Sequence, residues 1–238
     1  MFHAFAIIIF AALIHASFQL SVSMLTLLSS HAIGKRTKTT KLLRLTNAFT
    51  FGAAIITMLL VSFAALVLQK VFSDGIPTLA WVICCGLLIG LGVAVWIFYY
   101  RREKGTSLWI PRSVARYIST RTKTTRSSAE AFGLGMSSVM GEIIFIGAPI
   151  FTASLVLIQL EPLWQLIGVA VYTITSLLTL YIVTALIGSG HKISRIQHWR
   201  ETNKHFLQFA AGSGLLILGF YLYVDQVFPV TSVVEGIL

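Results

Sequence analysis

Acidic residues are scarce in this chain, which has 8 Asp and Glu against 18 Lys and Arg, and charged residues of either sign make up only 11% of its 238 positions. Cysteine is scarcer. The two that occur, Cys84 and Cys85, are adjacent; on a helix they point about 100° apart, a poor arrangement for an internal disulfide. With no third cysteine, there is no disulfide framework and no thiolate metal site. Catalytic signatures are missing as well. The chain contains no HExxH, GxSxG or Walker A pattern and no complete set of metal ligands, and serines such as Ser137 and Ser138 have no base beside them. No lysine sits at the centre of an apolar run, which argues against a retinal Schiff base. These absences point away from an enzyme and call for no cofactor.

What the chain has instead is apolar length. Hydrophobic residues are 56% of it and the mean hydropathy is +0.85, which places it in the membrane class. Runs without Lys, Arg or Asp span residues 3–34, 45–69, 78–100, 131–159, 162–190 and 206–224, and Glu142 in the fourth is their only Glu. Each meets the requirement of about 20 mostly apolar residues to cross a bilayer, so the sequence predicts an all-α membrane protein with six transmembrane helices. The first run lacks a basic n-region and a small-residue cleavage site and is too long for a signal peptide, so it is expected to stay in the mature chain. The longest polar loop, 101–130, is too short for an independent fold. The whole of 1–238 therefore reads as one transmembrane domain, with a half at 1–100, a basic loop at 101–130 and a second half at 131–238.

The net charge of +10 would suggest nucleic acid in a soluble protein, but its distribution says otherwise. Every basic residue except Lys70 lies between segments 1 and 2, 3 and 4, or 5 and 6. By the positive-inside rule those three loops are cytoplasmic and both termini are outside. The charge is accounted for by orientation and by attraction to anionic lipid headgroups, with no nucleic-acid partner.

The two halves look alike. Segment 3 carries Gly86-Leu87-Leu88-Ile89 and an aromatic end, and segment 6 carries Gly214-Leu215-Leu216-Ile217 and its own aromatic end. Three segments per half means that the second half enters from the opposite side. The implied architecture is a 3+3 inverted repeat, common among secondary transporters. Gly86 and Gly90, and the cluster Ala210, Ala211, Gly212 and Gly214, are expected to let helices pack closely.

Polar groups single out segments 1 and 4. His15, Gln19 and Ser23 follow an i, i+4, i+8 series that forms one stripe on a helix, with His15 near the midplane. Glu142, the only carboxylate near the middle of any run, is flanked by Gly133, Gly135, Gly141, Gly147 and Pro149. A carboxylate at that depth should face the bundle interior. Gly141, Gly147 and Pro149 are candidates for a helix break, tolerated only where protein or a water-filled cavity covers it. A histidine and a glutamate brought to one depth from opposite directions can relay protons or bind a cation.

Several stretches resemble the transmembrane family of the cytochrome c biogenesis protein CcdA and the DsbD core and, more distantly, the LysE-type exporters. They are Leu27-Leu28-Ser29-Ser30, Leu42-Leu43-Arg44, Phe51-Gly52, Phe132-Gly133-Leu134-Gly135 and Phe206-Leu207-Gln208-Phe209-Ala210-Ala211-Gly212. The resemblance covers nearly the whole chain and implies the six-helix 3+3 inverted repeat and a bacterial plasma membrane. It also implies a Pro-Cys motif in segments 1 and 4, and there this chain departs. His15-Ala16-Ser17-Phe18-Gln19 stands at the first position, and the region from Gly141 to Pro149, without a cysteine, at the second.

The leading expectation is thus a transporter-like protein that moves a small solute or ion through a site containing His15, Gln19, Ser23 and Glu142. A transmembrane thiol-disulfide electron carrier is the main alternative, for which only Cys84 and Cys85 could serve. The other is a membrane scaffold that docks a cytoplasmic partner through its basic loops.

Overall fold

The computed structural model of the chain describes residues 1–18, 39–73, 75–99, 120, 125, 127–189 and 193–229. Among the described residues the fold is all-α, without strands. In chain order the helices are α1 (Phe2–Ser17), α2 (Thr39–Val71), α3 (Thr78–Ala94), α4 (Ser128–Gly141), α5 (Ile143–Leu157), α6 (Pro162–Ser176), α7 (Leu178–Gly188), α8 (Ile193–Thr202) and α9 (Lys204–Leu222). α3 runs on into a π-helical turn at Val95–Tyr99, and α9 into another at Tyr223–Val227.

Local chemistry sets the helix starts. Ser127 and Glu130 form a reciprocal capping box before α4. Pro77 precedes α3, and Pro162 opens α6 where a missing N–H costs nothing. Gly75, at φ 113°, makes the turn between α2 and α3 in a conformation that side chains other than glycine rarely adopt. Inside the apolar runs, several hydroxyls are satisfied by their own helix: Thr50, Thr152 and Thr173 each donate to the carbonyl four residues back.

Three helices, Thr40–Val71, Thr78–Phe98 and His205–Val227, are long and apolar enough to cross a membrane. Only 28%, 33% and 39% of their apolar windows are buried, so most of that surface faces outward. Phe63, Leu66, Leu166 and Ile217 are among the large apolar side chains left exposed. An outer surface of this kind is compatible with an integral membrane protein. α4 with α5, and α6 with α7, reach spanning length only as bent pairs, which gives three to five candidate spans among the described residues. α1 has 16 residues and ends at Ser17, and the remainder of its apolar run lies outside the described residues.

The core lies between the helices. On α2, Leu42, Leu45, Thr46, Phe49, Thr50, Ala53, Thr57 and Val61 form a buried stripe at helical spacing, while Phe51, Leu59 and Phe63 on the opposite side are exposed. Both faces are apolar, so hydrophobicity does not distinguish them. Small and hydroxyl-bearing residues mark the inward face, as expected where close packing rather than water exclusion holds helices together.

Two crossings show this. α2 meets α4 backbone to backbone: a Cβ on Gly52 would lie 3.1 Å from Phe132 Cα and closer still to its carbonyl oxygen. A Cβ on Gly135 would lie 3.0 Å from Ala53 N and closer still to the Phe49 oxygen. α3 meets α9 at Gly92, Gly212 and Gly219, with Trp96 stacked on Phe209 at 5.5 Å. Of the glycines expected to allow close packing, Gly212 and Gly214 do so. Gly86 and Gly90 face outward, and a Cβ on either would meet nothing within 4 Å. The packing face of α3 instead carries Gly92, two residues along and 200° round the helix from Gly90 by the usual rotation of about 100° per residue. Replacing Gly86 and Gly90 together by Ala is therefore expected to leave the fold intact and to raise the melting temperature in detergent slightly, because alanine loses less backbone freedom on helix formation. A fall of several degrees would place a helix contact on that face.

Candidate functional site

Two helix bends and the end of α1 meet at one place. α1 ends at Ser17, and Phe18 is extended, with φ −77° and ψ 136°. α4 and α5 join at Glu142 with a bend of 79°, and α6 and α7 join at Leu177 with a bend of 50°. Glu142 (φ −90°, ψ −3°) and Leu177 (φ −100°, ψ 6°) share the bridge conformation between helix and strand. Around the two bends and the end of α1 lies a cleft with an empty space of about 260 Å³ that includes its open mouth. Its interior holds about one water molecule. His15, Glu142, Ser176 and Thr179 bring polar groups to its wall, and Phe18 and Leu177 are among the apolar ones.

Each group is held by a specific contact. His15 is 3% exposed, and its Nδ1 lies 3.1 Å from the hydroxyl of Tyr172 on α6, which is fully buried. Thr179, in the first turn of α7, donates to the Ala16 carbonyl at 2.9 Å, capping a carbonyl at the C-terminal end of α1. Ser176 donates to Thr173 O at 3.0 Å within α6. Phe18 stacks on Phe145 of α5 with ring centres 5.3 Å apart, closing the wall between α1 and α5. Glu142 is 3% exposed, and its carbonyl accepts from Phe145 N and Ile146 N, starting α5 directly after the bend.

The structure thus brings His15 and Glu142 to the same cleft. Gln19 and Ser23, expected on the same stripe as His15, lie outside the described residues. The bend falls at Glu142, next to Gly141. Gly147 and Pro149 are inside α5, which continues through them; Pro149 has no N–H for the carbonyl four residues back, yet buried neighbours on both sides keep the helix going. Cys84 and Cys85 are buried free thiols away from the cleft, with Cys84 Sγ 3.1 Å from Thr152 Oγ1.

Segment 5 supplies residues that sequence reasoning missed: Tyr172, Ser176, Leu177 and Thr179. The signal was present, since Tyr172-Thr173-Ile174-Thr175-Ser176 followed by Thr179 puts five hydroxyls into eight positions of an apolar run. Among the described residues no group of three or more His, Cys, Asp or Glu converges as a metal site would require. A carboxylate, an imidazole and hydroxyls around a water-sized space are suited to passing a proton or holding a small polar species. No protein-family model, curated protein or solved structure matches the chain.

Proposed function

We propose that the chain is a transporter-like integral membrane protein that moves a small solute or ion through the cleft between His15 and Glu142. The observation that carries this is the convergence of two helix bends, at Glu142 and Leu177, and the end of α1 at Ser17 on one cleft lined by a buried histidine and a buried glutamate. Discontinuous helices meeting at a polar site are a recurring design in secondary transporters, where the breaks both supply polar groups and act as hinges. Alternating access would then consist of movement about Glu142 and Leu177.

The wider architecture in this reading is six spans in a 3+3 inverted repeat, termini outside and basic loops cytoplasmic, in a bacterial plasma membrane. Two observations support the repeat. The π-helical turns begin nine residues after Gly86 and nine after Gly214, at matching places in the two Gly-Leu-Leu-Ile segments. Several neighbour relations also survive exchange of the halves. Segment 2 packs on segment 4 as 5 packs on 1, segment 3 packs on 4 as 6 packs on 1, and the pairs 1 with 4, 2 with 5 and 3 with 6 are each in contact. The resemblance to the CcdA and DsbD transmembrane family fits the same arrangement.

Flux across proteoliposomes, measured with a panel of protons, monovalent and divalent cations and amino acids, tests the proposal. Wild type should carry at least one of these species and Glu142→Gln should fall to the level of empty liposomes. Equal flux in the two proteins for every species would refute the site.

A further inference from the structure

The cleft has a hydrogen-bond direction that Tyr172 decides. Tyr172 is fully buried, and among the described residues its hydroxyl has one hydrogen-bond partner, His15 Nδ1. A buried phenol keeps its O–H satisfied. With Nδ1 as the acceptor at hand, the hydrogen goes there, and Nδ1 must offer its lone pair. A neutral imidazole carries one ring hydrogen, which is then on Nε2. His15 lines the cleft and Tyr172 does not, so the edge turned to the cleft is the one away from Nδ1.

We propose that Tyr172 is a positioning residue that fixes His15 as an Nε2–H donor to the cleft, and that the cleft's ligand is a proton-carrying water molecule rather than a bare metal cation. This rests on the translocation reading above and names the species moved. An imidazole binds a metal through a ring lone pair, and in this tautomer the lone pair is turned to Tyr172. A water oxygen can instead accept from Nε2–H while its hydrogens reach the Glu142 carboxylate and a second acceptor. The interior has room for about one such molecule. In the transfer, the water gives one hydrogen to the carboxylate as a hydronium from the aqueous side replaces it. One O–H bond forms on Glu142, one breaks on the water and is restored by the incoming proton, and no electrons are exchanged. His15 keeps its Nε2 hydrogen throughout.

Nitrogen-15 NMR of histidine-labelled protein in liposomes reads the tautomer directly, with His15→Gln identifying the resonance. Wild type should show a protonated Nε2 and a bare, hydrogen-bonded Nδ1. Tyr172→Phe removes the donor while keeping the ring, so an Nδ1–H population should appear. The same variant should lower proton flux into dye-loaded proteoliposomes by about tenfold, less than the roughly 10²–10⁴-fold of groups that transfer the proton themselves, because Tyr172 only positions His15. A protonated Nδ1 in wild type, or a tautomer unchanged in Tyr172→Phe, overturns the assignment. Flux of a metal ion or an amino acid without proton flux also overturns it while leaving translocation standing, and absence of flux of every kind in wild type overturns both.

Discussion

Gly135→Ala is expected to destabilise the fold strongly and lower its melting temperature. A Cβ at this position would lie 3.0 Å from the Ala53 nitrogen and nearer still to the Phe49 carbonyl oxygen, and both atoms belong to the backbone of α2. A flexible side chain can turn aside from such a contact, but a helix backbone has to move as a whole. Overpacking in a close-packed interior costs about 1–3 kcal/mol and occasionally more. The rigidity of the obstacle puts this site at the upper end, at about 3 kcal/mol. Gly52→Ala meets the Phe132 backbone in the same way and should behave alike.

The damage should reach function, since α4, which carries Gly135, leads directly into the bend at Glu142, and a displaced α4 shifts Glu142 relative to His15. Melting temperature and the monodisperse fraction in detergent provide the measurement. A Gly135→Ala protein that melts with wild type would mean that α2 and α4 do not meet at this crossing.

Tyr172→Ala should be the other severe substitution. Tyr172 is among the largest fully buried side chains. Truncating a large buried aromatic to alanine costs about 3–5 kcal/mol. In a bilayer the unfolded reference is also in lipid, so the transfer contribution shrinks and the cavity contribution dominates, which favours the lower figure. His15 Nδ1 loses the same partner in Tyr172→Ala and in Tyr172→Phe, so that loss does not separate the two variants. Tyr172→Phe keeps the packing and loses only an interhelical hydrogen bond, about 0.6 kcal/mol by the average for membrane helices. Unfolding in a denaturing detergent should therefore place Phe close to wild type and Ala far below both. Equal destabilisation of the two variants would assign the role of Tyr172 to its hydroxyl alone.

Much of the candidate site was legible in the chain. Glu142 stands out as the only carboxylate within an apolar run, and His15 as a polar group at comparable depth. Desolvating such groups is costly, so their presence alone pointed to an interior cavity. The position of the bends was not legible. Pro149 is the strongest local helix breaker in segment 4, yet α5 runs through it, and the chain turns at Glu142 instead. Leu177 carries no breaking signal at all, and its bend accompanies the Thr179 bond to α1 and the Tyr172 bond to His15, both of which join residues more than 150 positions apart.

By itself, the sequence determined the apolar, helical character of the chain. Scarce charge and long apolar runs are compatible with an integral membrane protein, where helices satisfy their own backbone groups. Tertiary structure decided which face of each helix turns inward, because in these helices both faces are apolar and hydrophobicity carries no sign. Gly86 and Gly90 have the spacing of a packing motif and face outward, whereas Gly52, Gly92 and Gly135 make the close approaches. It also decided which polar groups meet. His15, Tyr172, Glu142 and Thr179 come from four helical pieces, and only the way those pieces cross puts them around or beside one water-sized space.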